Sequence, residues 1–267
     1  MDTSPPDPMF AARDCSATVH GLREEVLADG LVVDCAREFD VLSEDLLYEL
    51  ALFTDDVDPI PYPDDWIPDD APDPIARLAG ADPVVGRPGQ GSVTWTRQFD
   101  PSLVIVKPRG RELPDRFLDF RLAEAILVCS LDVPEHPLGF FRGRYPVLQA
   151  TVGDPDAAMR LASALYEAWI GLTVRPRFEA WAEDHPPLHE GWKEAGRLLA
   201  DRVAELPALR ADGSIDFLEA TDLACSAVKH GYDLPAPFGA LGVNAYRTEG
   251  ATYALRWLER TVASLGD

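Results

Sequence analysis

The sequence predicts a mainly α fold (α+β), a helical domain of about seven to nine helices with one antiparallel β-hairpin near residues 92–107. Three observations predict it. From residue 114 onward the text has helical periodicity almost to the end. Residues 92–107 concentrate the strand formers valine, threonine, tryptophan and isoleucine around a DPS turn. The apolar fraction of 46% is that of a folded chain, despite a net charge of −22 over 267 residues.

The elements follow in order. Residues 1–14, acidic and proline-bearing, read as a loose tail. ATVHGLREEVLA (17–28) reads as a short helix stopped by Gly30. LVVDC (31–35) reads as a short strand or an extended entry. Asp40 or Ser43 caps a helix over about 43–53, with Leu46, Leu47, Leu50 and Phe53 on one face. Residues 54–74 hold six prolines and eight aspartates, a density that excludes helix and sheet. Ile60, Tyr62, Trp66 and Ile67 supply anchors, so this stretch is expected to be a surface arm. SVTWTRQF then turns at Pro101 and returns as LVIVK.

Pro114 opens a helix to about 131, with Phe117, Phe120, Leu122, Ala125, Ile126 and Cys129 on its apolar side. FFRGRYPVL reads as a short helix or helical turn. Asp154, with Pro155 at the first helical position, starts a helix through about 172. RFEAWAED reads as a separate short helix ended by Pro186 and Pro187. LHEGWKEAGRLLADRVAEL is a longer one. Ser214 or Asp216 begins FLEATDLACSAVKH, and Gly231 ends it. A last helix covers about 244–264. The hairpin is too small to stand without the helices, so residues 1–267 are expected to form a single compact domain.

The charge limits function. The chain holds 46 acidic residues against 24 basic ones, and only three of the latter are lysines (Lys107, Lys193, Lys229). The acid is dispersed, which suits a cytosol rich in salt, where repulsion is screened within about 3 Å at molar ionic strength. Such a surface argues against general nucleic-acid binding, which needs cations and weakens with salt. No apolar run reaches a membrane span of about 18 residues. The N-terminus has neither the basic nor the apolar region of a signal peptide, and a cytoplasmic location is expected. Cys15, Cys35, Cys129 and Cys225 are far apart with no CxxC pair, so they read as reduced thiols and no metal or cofactor is expected.

Two clusters are candidate sites. Segment 54–82 holds nine aspartates and one arginine, whereas 86–111 holds Arg87, Arg97, Lys107, Arg109 and Arg111 against Asp100. Either the acidic arm docks on the basic hairpin, or Arg97, Lys107 and Arg109 bind a carboxylate or phosphate, helped by backbone amides of GRPGQG. The second cluster is Asp222, Ser226, Lys229 and His230. On a helix, Ser226 and His230 are four apart, and Ser, His and Asp together suggest nucleophilic catalysis. No GxSxG elbow accompanies them, and His230 also suits the negative end of a helix. His185 and His189 are four apart, but Pro186 and Pro187 interrupt the helix a metal pair would need. Gly89, Gly91, the lysine of VIVK and Glu124 mimic the front of a protein kinase. No HRDxxxxN or DFG follows, and the glycine spacing is wrong. Trp169, Trp181, Trp192 and Trp257 read as helix-packing residues.

SVTWTRQ, VIVKPR, LYEAWIGL, ACSAVKHGYDLPAPF and AYRTEGATYALRW resemble a family of uncharacterised proteins from halophilic archaea, over most of the chain from about residue 31. The resemblance implies a soluble cytosolic protein of high salt and a domain of unknown function. It carries over no catalytic or binding residue. Function is therefore expected to be partner binding or regulation by an unknown protein partner, with the alternative of an enzyme or sensor for an anionic small molecule.

Overall fold

The computed structural model describes residues 16–27, 30–34, 54–55, 84–85, 94–97, 102–106, 113–134 and 136–265. The expected tail, the 43–53 helix, nearly all of the 54–74 arm, Lys107 and Arg109 lie outside them. Two compact units, residues 1–131 and 132–267, are described in turn.

In the first unit, α1 (Ala17–Val26) starts at Ser16, whose hydroxyl accepts the Val19 N–H and so serves one of the first-turn donors. Three strands form a mixed sheet. β4 (Thr94–Arg97) and β5 (Leu103–Val106) run antiparallel, with Thr94 opposite Val106 and Arg97 opposite Leu103. β1 (Leu31–Asp34) joins the other side of β5 in parallel, Val32 opposite Val104. β2 (Thr54–Asp55) and β3 (Val84–Val85) make a separate two-stranded ladder. Val32, Thr94, Val104 and Val106 are buried. α2 (Asp115–Cys129) packs against α1, β4 and β5. Its Leu118, Phe120, Leu122 and Ile126 are almost fully enclosed.

The fold class read from the sequence is corrected here. Mainly helical stands; a lone hairpin at 92–107 does not. The strands there belong to a three-stranded sheet whose third member comes from residues 31–34. A parallel partner from far along the chain has no turn to announce it, so local text carries no signal for that pairing.

The second unit is built on α5 (Pro155–Asp184), a 30-residue helix. Asp154 accepts the Ala157 N–H at 2.7 Å and caps it. The sequence suggested two helices here, divided near 172. The helix instead passes through Pro176, because that ring is on the exposed side while Val174, Phe178 and Trp181 continue one buried stripe. Burial of that stripe outweighs the roughly 3 kcal/mol cost of an internal proline. α6 (Pro186–Ala211) likewise runs through the exposed Pro207.

Before α5 come α3 (Pro137–Phe141), a turn of 3₁₀ helix and α4 (Tyr145–Val152). After α6, α7 (Phe217–Val228) begins with a capping box in which Asp216 and Glu219 serve each other's backbone N–H groups. The single helix expected over 244–264 is two: α8 (Asn244–Glu249) and α9 (Ala251–Leu265). Gly250, at φ 55°, ends the first. α5 packs against α6, α7, α4, α3 and α8. Tyr246 of α8 is fully buried and donates its hydroxyl to the Leu165 carbonyl of α5 at 2.5 Å. Cys129 and Cys225 are buried thiols, neither in a disulfide. Among the described residues no helix is long and apolar enough to cross a membrane.

Candidate functional site

The four residues of the second candidate cluster share α7 and its C-terminal end, but they do not converge. Asp222 is bonded to Arg160 of α5 at 2.7 Å across the helix pair. That carboxylate holds the Arg160 guanidinium above its ordinary pKa, by hydrogen bond first and by charge second. Ser226 donates its hydroxyl to the Asp222 carbonyl at 2.9 Å, a bond within its own helix. Lys229 caps α7, and its carbonyl accepts the Trp192 indole N–H at 3.2 Å. Its backbone lies so close to α5 that a Cβ on Gly171 would stand 3.3 Å from the Lys229 Cα. His230, one residue further, turns to α6 and stacks on Trp192 (centroids 6.0 Å apart, planes 19° apart). Asp222 thus serves the α5 side, Ser226 its own helix and His230 the α6 side, while the Lys229 backbone lies against both α5 and α6. A Ser–His–Asp relay needs all three in line.

Of the basic-hairpin residues, the backbone of Arg97 ends β4 opposite Leu103, while Lys107 and Arg109 lie outside the described residues. His185 sits at the junction of α5 and α6, and His189 places Nδ1 3.0 Å from the Phe178 carbonyl. No group of three metal-ligating side chains gathers among the described residues. Glu124, the kinase-like glutamate, pairs with Arg121 on its own helix.

What the structure brings together is different. A run of rings leads outward from the core: Phe178, buried, contacts Trp192, Trp192 stacks on His230, and His230 contacts Tyr232. At its outer end a cavity of about 390 Å³ is lined by Glu190, Trp192, Lys193, Gly196, Arg197, His230 and Tyr232. Its size is that of a small-metabolite site. Gly196 is required at its floor. A Cβ there would come within 2.9 Å of both His230 Nδ1 and the Tyr232 hydroxyl oxygen, so two polar atoms converge over that glycine. Lys193 and Arg197 stand four apart on α6, on the same side of the helix. Lys193 bonds Glu190 at 2.7 Å, and that ammonium holds the Glu190 carboxyl below its usual range. Two cations to one carboxylate, Glu190, around this cavity still go against the composition of this unit, which holds 20 acidic and 13 basic residues.

A second cavity, of about 470 Å³, opens beside α9 and has a similar make-up: Tyr253, Trp257, Arg256 and Arg260. Its phenol, its indole and the first of its arginines are engaged. Tyr253 donates to the Ala240 carbonyl at 2.9 Å and Trp257 to the Pro237 carbonyl at 3.0 Å. Arg256 pairs with Glu249.

Sequence reasoning singled out His230 but missed Trp192, Lys193, Gly196, Arg197 and Tyr232. The available signal was K-x-x-x-R on one helix face in a chain with only three lysines.

A mainly helical chain with an aromatic and cationic cavity is thus defined, and the chain belongs to the family of unknown function DUF7089, which matches residues 9–265. No curated protein and no solved structure matches it.

Proposed function

We propose that this is a binding protein of a salt-rich cytosol, one that holds a protein partner and regulates it. The observation that carries the reading is the engagement of the α7 polar groups. Asp222 ties α7 to α5, Ser226 is bonded to its own helix, and the Lys229 carbonyl holds the Trp192 indole. These groups are accounted for by helix packing, and what remains accessible is suited to recognition. The salt-rich setting is supported by the net charge of −22.

The test has two arms, both in molar KCl. Cross-linking of the tagged chain, followed by reconstitution with the purified partner, is expected to give a complex of fixed stoichiometry that survives in D222N/S226A. A fluorophosphonate probe is expected to leave Ser226 unmodified. Labelling of Ser226, with turnover lost in S226A, would overturn the reading.

A second reading rests on the net +4 of residues 86–111 within so acidic a chain. Arg97, Lys107 and Arg109 then recognise a carboxylate or phosphate. K107E/R109E should remove any thermal stabilisation by anionic metabolites.

A further inference from the structure

We infer that the cavity between α6 and the His230–Tyr232 segment binds a small organic anion, a carboxylate or phosphate carried on a planar ring. The inference goes beyond partner binding and stands independently of it.

Three features point to this ligand class. The first is cationic. Arg197 is exposed, and its guanidinium makes no hydrogen bond or ion pair among the described residues. Lys193 stands one turn earlier on the same face, held by Glu190. A guanidinium takes a carboxylate or phosphate through two parallel N–H bonds. Such a pair is in direct contact, so it survives a salt concentration at which charges beyond about 3 Å are screened.

The second feature is the polar floor. The Tyr232 hydroxyl makes no hydrogen bond among the described residues, and it converges with His230 Nδ1 over Gly196. A phenol and an imidazole edge at one spot suit the oxygen atoms of an anionic headgroup. The absence of a side chain at Gly196 is what leaves room for it.

The third feature is rigidity. The ring wall is fixed from inside: Phe178 is 0% exposed and Trp192 8%. The Trp192 indole N–H is tied to the Lys229 carbonyl. A wall held this way is already organised for a flat ligand, and little ordering cost remains on binding. The cavity beside α9 has an indole fixed in the same way, but its phenol and first arginine already have partners.

The experiment is a ¹H–¹⁵N titration of the full chain in molar KCl, following the Gly196 amide and the Trp192 indole. The probes are benzoate, AMP and inorganic phosphate. Benzoate against AMP separates an aromatic carboxylate from a nucleotide phosphate, and inorganic phosphate reports the headgroup alone. Saturable shifts at both sites with benzoate or AMP are expected, with inorganic phosphate at least about tenfold weaker. R197A should weaken the better probe by about tenfold or more, and R202A, on the same helix but away from the cavity, should leave it unchanged. Both variants alter exposed residues, and the same spectra report their folding. The inference is overturned if neither organic probe shifts these signals, if inorganic phosphate binds equally well, or if folded R197A binds like the parent chain.

Discussion

The two cavities of the helical unit make an instructive pair. Each sets a tyrosine, a tryptophan and two cations four residues apart on one helix around a space of a few hundred cubic ångströms. In the one beside α9 the tyrosine and tryptophan bond to the backbone of residues 237–240 and so fasten the 3₁₀ turn (Phe238–Gly242) to the helix. In the one beside α6 the tyrosine hydroxyl has no such duty among the described residues, while the outer arginines, Arg197 and Arg260, make no hydrogen bond or ion pair there in either. Similar residue types therefore serve the fold in one place and are available to a ligand in the other. Residue type alone does not separate the two; hydrogen-bond bookkeeping does.

Substitutions should divide along the same line. The largest effect is expected at Trp257, which is 5% exposed and contacts Phe217 and Phe238. Trp257→Ala should cost about 3–5 kcal/mol, read as a fall in Tm in molar KCl.

Next comes an alkaline limit on the core of the helical unit. Burial keeps the Cys225 thiol and the Tyr246 phenol protonated well above their ordinary values of 9.0 and 10.0. In the unfolded chain they ionise near those values. Above pH 9 the folded state therefore holds more protons than the unfolded one, and stability falls as pH rises, by about 1.4 kcal/mol per pH unit for each such group. Denaturation from pH 8 to 11 should show the decline, with a shallower slope in Cys225→Ala. A flat profile would mean these groups ionise in the folded state.

A smaller effect is expected at Gly196. Its added Cβ would crowd two rings that a packed wall keeps in place, so Gly196→Ala should cost about 1–3 kcal/mol and change the near-ultraviolet circular dichroism. A neutral result would mean the rings yield. The smallest belongs to Asp222→Asn. The Asp222–Arg160 pair is 42% and 51% exposed, so the loss should stay within about 1 kcal/mol. Loss of all function with unchanged Tm would instead return Asp222 to the list of reactive groups.

Local signals in the sequence located many element ends. Asp154–Pro155 and Asp216 with Glu219 mark helix starts through their own side-chain chemistry, and Gly231, at φ 72°, marks a stop, whereas α1 ends at Val26, short of Gly30. Such signals act within a few residues and are legible without tertiary context. The continuation of α5 through Pro176 and of α6 through Pro207 was not legible, because a proline's cost is local, whereas the burial that overrides it comes from other helices. Gly250 was passed over because one glycine in a helical pattern can be tolerated or can adopt φ > 0. The parallel β1–β5 pairing depends on residues about 70 apart, and nothing in either segment names the other. The site was hidden for the same reason. His230 was visible as part of an apparent catalytic set on one helix, but its actual neighbours, Trp192 and Gly196, come from a different helix.

The most direct measurement compares two matched variants, Tyr253→Phe and Tyr232→Phe, by thermal and denaturant unfolding in molar KCl. Each removes a single hydroxyl beside a cavity. If one cavity serves the fold and the other a ligand, Tyr253→Phe loses about 1 kcal/mol and Tyr232→Phe stays within about 0.5 kcal/mol of the parent chain. Equal losses in the two variants would contradict the account.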